Sequence, residues 1–122
     1  MYSIEEFIQK AIKQDERNIF KSYEEKIKGV PDSFLKFYKD YNPKDVEVSI
    51  QGSMVKFVPY ECLKNIQKEY PLNEDCFIFA TNNGAPIYEK KNKKICSCVF
   101  SKNGIIEEEI VDSFLKYLEL ID

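Results

Sequence analysis

The chain of 122 residues contains no histidine and no tryptophan. The first absence removes the side chain that most often acts as general base near neutral pH, and the commonest zinc ligand other than cysteine. Histidine-based triads and histidine metal sites are therefore excluded. Glycine is scarce too. Gly29, Gly52, Gly84 and Gly104 stand singly, so no dinucleotide fingerprint, phosphate-cradling loop or calcium-loop pattern is present. There is no apolar run of about 18 residues, as a membrane-spanning helix would need. The start, Met1-Tyr2-Ser3-Ile4-Glu5-Glu6, lacks the basic and apolar regions of a signal peptide. A cytoplasmic protein without membrane contact is expected. In a reducing compartment Cys62, Cys76, Cys96 and Cys98, each among apolar neighbours, are expected to behave as small buried hydrophobes, with no disulfide needed.

What is present suffices for folding. Apolar residues make up 43% of the chain and charged residues 32%, which sets it apart from low-hydrophobicity disordered segments. Its length fits one domain, residues 1–122, around one core.

Ser3 with Glu6 reads as a helix start, and Ile4, Phe7, Ile8, Ala11 and Ile12 recur at helical spacing. Ile19, Phe20, Tyr23 and Ile27 continue that spacing to Gly29, with a possible break near Gln14-Asp15, so one long helix or two short ones are expected. Val30-Pro31-Asp32-Ser33 restarts a helix with Phe34, Phe37, Tyr38 and Tyr41 as its buried stripe, and Asn42-Pro43 ends it. Val46 to Ile50 and Met54 to Val58 flank Gln51-Gly52 as a β-hairpin. Pro59 opens a short helix that Pro71 closes. Cys76-Phe77-Ile78-Phe79-Ala80 predicts a central strand covered on both faces. Strands then follow at Pro86 to Lys90 and Ile95 to Phe100. The last segment places Ile110, Val111, Phe114, Leu115, Leu118 and Ile121 on one helical stripe, with Glu107, Glu108 and Glu109 in its first turn. The expectation is an α+β fold, a mainly antiparallel sheet of about five strands flanked by N-terminal, middle and C-terminal helices.

Few residues suggest chemistry. Cys96-Ser97-Cys98 has the wrong spacing for the usual metal and redox pairs, and residues two apart in a strand share a face, so both thiols read as core. Glu107, Glu108 and Glu109 read either as catalytic carboxylates or as a grip on a basic partner, although a helix N-terminus attracts acids for electrostatic reasons alone. Lys90, Lys91, Lys93 and Lys94 read as a solvated hairpin tip, because the chain is acidic overall and direct nucleic-acid binding typically needs a larger basic footprint. No cofactor, metal or catalytic residue is expected. Charge is nonetheless segregated. Residues 89–106 carry five lysines against Glu89, and residues 107–122 carry six acids against Lys116.

Three stretches carry a family resemblance. They are Val30-Pro31-Asp32-Ser33-Phe34-Leu35-Lys36-Phe37-Tyr38, preceded by Glu24-Glu25 and followed by Asn42; Phe79-Ala80-Thr81-Asn82-Asn83-Gly84-Ala85-Pro86-Ile87-Tyr88; and Asp112-Ser113-Phe114-Leu115-Lys116-Tyr117-Leu118. In this order they resemble the SMI1/KNR4 (SUKH) family: an acidic residue, proline and aromatic helix, then a central strand with a glycine turn, then a closing helix. The resemblance implies a non-enzymatic immunity protein that binds and neutralises a cognate polymorphic bacterial toxin domain, contact-dependent or secreted and often a nuclease. Other members of the family act as regulatory or scaffold adaptors for endogenous proteins, which is the alternative the resemblance leaves open. A monomer or weak dimer is expected. A nuclease toxin has a positive substrate cleft that acids can occupy as phosphate substitutes. Glu74, Asp75, Glu107, Glu108 and Glu109 are therefore the electrostatic candidates for partner binding, with Tyr60, Asn82, Asn83 and Tyr88 as anchors. Tyr70 offers similar amphipathic area.

Overall fold

The computed structural model describes residues 2–122. Helix α1 (Ile4–Gln14) begins where the sequence places it. The Ser3 hydroxyl accepts a hydrogen bond from the Glu6 amide at 3.2 Å, satisfying one of the free donors of the first turn. Ile4, Phe7, Ile8 and Ala11 are buried, while Ile12 faces solvent.

The expected helical continuation through Ile19, Phe20, Tyr23 and Ile27 does not form. Ile19–Lys21 is instead a short strand, β1, paired antiparallel with β2 (Asn42–Lys44). The reason lies in Asn18, which is buried and bonded at both ends of its amide. Its Nδ2 donates to the Ala11 carbonyl at the end of α1 (2.9 Å), and its Oδ1 accepts from the Glu47 amide (3.0 Å). These bonds fix the point at which the chain leaves the helix.

A 3₁₀ turn (Asp32–Phe34) runs into α2 (Leu35–Tyr41), which buries Phe37 and Tyr38 behind Phe34. Strands β3 (Val46–Ile50) and β4 (Ser53–Phe57) form the expected hairpin. Gln51 and Gly52 both have positive φ, the turn geometry that matches strand twist. A second 3₁₀ turn (Tyr60–Cys62) and α3 (Leu63–Glu69) follow. Then come β5 (Phe77–Asn82), β6 (Ala85–Glu89), β7 (Ile95–Ser101), β8 (Gly104–Val111) and α4 (Phe114–Glu119).

The fold is α+β, as expected. The main sheet has six strands rather than five, in the order β3-β4-β5-β6-β7-β8, every pair antiparallel and adjacent in sequence. The sixth strand overturns a second expectation. Glu107, Glu108, Glu109, Ile110 and Val111 belong to β8, and the last helix starts only after Ser113, whose hydroxyl accepts from the Lys116 amide. Ile105, Ile106, Ile110 and Val111 are β-branched, which suits a pleated strand against β7 better than a helix. The acids are therefore not at a helix N-terminus.

The sheet has two covered faces. The inner face carries Val48, Phe57, Phe79 and Ile87 beneath the helices, where Phe114 meets Phe34 at 4.1 Å and Phe79 at 5.2 Å between ring centroids. Leu115, expected on this stripe, is exposed, and Tyr117 is buried. The outer face carries Ile78, Tyr88, Cys96 and Cys98 under Ile66, Tyr70 and Leu72. Central β5 is thus covered on both sides. No helix among the described residues is long and apolar enough to cross a membrane.

Candidate functional site

At the end of the sheet where β5 turns into β6, Asn83 and Gly84 both take positive φ, a geometry open to asparagine and glycine at little cost. Asn82 pairs with Ala85 across this turn. Strand pairing of β6 with β7 covers Ile87 to Glu89 only, whereas β7 and β8 stay paired out to Ser101 and Gly104. The β7–β8 hairpin therefore projects beyond its neighbours. Its projecting part is apolar: Val99 is 56% exposed and Ile106 60%, with Phe100 and Ile105 beside them.

Beneath this arm, on the inner face, lies an open cleft of about 420 Å³ lined by Val55, Asn82, Ile87, Ser97, Glu108 and Tyr117. The side-chain carbonyl oxygen of Asn82 is buried and has no hydrogen-bond partner among the described residues.

Strand geometry divides the three acids. Glu108 pairs with Ser97 and joins the cleft, whereas Glu107 pairs with Cys98 and Glu109 with Cys96, on the outer face. Glu107 accepts from the Tyr88 hydroxyl at 2.6 Å and from Lys90 Nζ at 2.8 Å. Lys90 and then Tyr88 hold its carboxyl below the usual glutamate range. Lys94 pairs with Glu109 at 2.9 Å. Glu108 has no ion-pair partner among the described residues.

The other candidates lie elsewhere. The Tyr60 hydroxyl donates to the Lys28 carbonyl (3.0 Å) and accepts from the Lys28 amide (2.8 Å), so it struts a loop instead of waiting free. It borders a groove of about 600 Å³ between that loop and α3, floored by Val30, Leu63 and Phe77. Glu74 and Asp75 are exposed beside a neighbouring hollow that shares Val30 and Phe77. Tyr70 stacks on Phe100 at 6.0 Å and donates to the Gly84 carbonyl at 2.7 Å, bracing the arm from the outer face. The structure thus unites Asn82 and Glu108 in one cleft with Asn83 at the adjacent turn tip. It places Tyr88 and Glu107 on the reverse face, Glu109 paired with Lys94 yet also bordering the cleft, Tyr60 in the turn before α3, and Glu74 and Asp75 in the loop after it.

Cys96 and Cys98 are buried as expected and Cys76 is half-buried, whereas Cys62, expected to be buried, is exposed in the turn before α3. Burial pushes the Cys96 thiol up to about 11 and raises those of Cys76 and Cys98, which disfavours the reactive thiolate. Among the described residues no three side chains of metal-ligating type are grouped to hold an ion. Tyr88, under burial and beside Glu107, is raised as well.

The exposed apolar arm is the feature that sequence reasoning missed. Its signal was available: Val99-Phe100 and Ile105-Ile106 flank Asn103-Gly104, the pattern of a hairpin with β-branched strands. Compared with family models, curated proteins and solved structures, the chain finds no match in any of the three.

Proposed function

We propose that the chain acts by stoichiometric protein binding, as a cytoplasmic immunity protein of SMI1/KNR4 type that neutralises a cognate toxin domain and has no turnover of its own. One observation carries this reading. The projecting β7–β8 arm exposes Val99 and Ile106 side by side on its inner face, next to a Glu108 without an ion-pair partner among the described residues, while Phe100 and Ile105 make its opposite face apolar as well. Contiguous exposed apolar surface beside charge is the composition of a protein-binding patch. Its acidic side suits a positively charged cleft such as that of a nuclease toxin.

The test is to find a toxin domain encoded beside this reading frame and to co-express the two. Rescue of growth, and a 1:1 complex on size exclusion with light scattering, are expected. A toxin that still kills and elutes separately overturns the proposal. A second reading, a regulatory adaptor, is favoured by one feature, the separate apolar groove along α3, which would hold a second partner. A ternary complex that leaves the arm and this groove both occupied would establish it.

A further inference from the structure

Unpaired strand main chain is sealed by side chains at two places in this sheet. On the free edge of β3, the Glu47 amide donates to Asn18 and the Ser49 amide to Gln14, while the Ser49 carbonyl accepts from Gln14 Nε2 and from the Asp122 amide. On β5, the carboxamide of Gln67 takes both main-chain groups of Ile78, each at 2.8 Å. The free edge of β8 has nothing comparable. Among the described residues, no hydrogen bond reaches the main chain of residues 105–111 except from β7. A long edge left open in this way is a template for another strand.

We propose that β8 receives an extended segment of the bound partner as a seventh strand, and that this segment carries a lysine or arginine beside Glu108 with apolar residues two positions to either side. This rests on the protein-binding reading above. The side-chain pattern follows from the pleat. On the inner face β8 presents Ile106 and Glu108, opposite Val99 and Ser97, and then Ile110 at a β-bulge where the pairing passes from Cys96–Glu109 to Ile95–Val111, and an added strand sets its own side chains about 5 Å from the regular positions. On the outer face Glu107 and Glu109 already hold Lys90 and Lys94, so the unmet charge is that of Glu108. Apolar partners cover Ile106 and the half-buried Ile110. A second copy of the chain is a poor occupant, because a two-fold pairing centred on residues 107–109 lays carboxylates against carboxylates.

The probe is a synthetic peptide, Ac-Ser-Thr-Val-Thr-Lys-Thr-Val-Thr-Ser-amide, titrated into the isotope-labelled intact protein, with amide shifts and hydrogen exchange read residue by residue. Shifts and slowed exchange concentrated in residues 105–111 are expected. The peptide with a central glutamate should bind about tenfold more weakly, and N-methylation of alternate peptide amides should abolish binding. The Glu108→Lys protein should prefer the glutamate peptide. Absence of binding, equal binding by the N-methylated peptide, or shifts confined to the α3 groove would overturn the proposal. So would self-association of the free protein through β8. A 1:1 toxin complex formed by a protein that ignores every peptide overturns strand addition and leaves the binding reading standing. Peptide binding at β8 without any toxin complex does the reverse.

Discussion

The β3 edge and the β8 edge belong to one sheet but are finished in opposite ways. Along β3 the outward main chain is met by a buried asparagine, a glutamine and residues 121–122. Ile121 bridges to Ile50, and the Asp122 carboxylate accepts from the Gly52 amide at 2.8 Å. Along β8, interrupted by a bulge at Ile110, no side chain among the described residues bonds the outward main chain, and the strand carries glutamates and isoleucines instead. Water satisfies an open edge about as well as a neighbour does, so the difference between the edges is one of access more than of stability. One edge is closed by the fold, and the other is left available to whatever carries the right charge.

That comparison is broken most severely from the closed side. Helix α4 delivers Ile121 and Asp122 to β3, and Phe114 anchors it among Phe34, Phe37 and Phe79. Phe114→Ala should cost about 3–5 kcal/mol, the range for truncating a fully buried phenylalanine, seen as a lower midpoint in urea. Asn18→Ala should cost less, about 1–3 kcal/mol, because it leaves the Glu47 amide without its partner and the Ala11 carbonyl with the Asp15 amide as its remaining donor. Hydrogen exchange should then quicken at β3 while β8 stays as it was. Equal quickening at both edges would mean that Asn18 supports the whole sheet and not its closed edge.

The closed half was the more legible in sequence. Ser3 and Glu6, Gln51-Gly52, Pro59, Asn42-Pro43 and the apolar run around Ile78 each act locally, through caps, turns and proline, so reading along the chain finds them. The end of α1 was harder, because Asn18 is fixed by Glu47, which lies 29 residues away. At β8 the local reading failed outright. Ile110, Val111, Phe114 and Leu118 satisfy a helical period, and three acids imitate a first turn; only the pairing with β7 decides for the strand. Of the candidate site residues, the three glutamates divide between two faces, and that division follows from the pairing with β7 and is invisible without it.

Glu89 sharpens the comparison from the middle of the sheet. It is 3% exposed, and one of its carboxylate oxygens has no partner among the described residues. Burial raises its pKa, offset only in part by Ser33 and Lys93. An acid whose folded pKa lies above its unfolded value favours folding while protonated. The penalty is absent below the ordinary glutamate range and grows as pH rises through the raised folded value. Glu89→Gln should therefore raise the neutral-pH midpoint, and the gain should vanish toward acid pH. A gain independent of pH would assign the effect to packing. Glu107 and Asp122, both lowered, act in the opposite direction, and the difference between wild type and variant isolates Glu89 from them.

The smallest expected effect on stability is at the open edge itself. Glu108→Gln removes a carboxylate with no ion-pair partner among the described residues and should change stability by no more than about 0.5 kcal/mol. Glu107→Gln disturbs the bonds from Tyr88 and Lys90 and should cost somewhat more, although both groups of the ion pair are more than a third exposed and such pairs are weak. For association the ranking reverses. Glu107 and Glu109 are neutralised within the chain by Lys90 and Lys94, so the charge that steers a basic partner resides in Glu108. Measured by stopped flow against the partner that the proposed function requires, Glu108→Gln should slow association and flatten its salt dependence more than Glu107→Gln does. The triple replacement of Glu107, Glu108 and Glu109 by glutamine should add little to the single one. If Glu107→Gln proved the more damaging to the on-rate, the partner would be approaching the outer face, where Tyr88 and Lys90 lie, and β8 would be serving as a wall between two faces instead of as an edge.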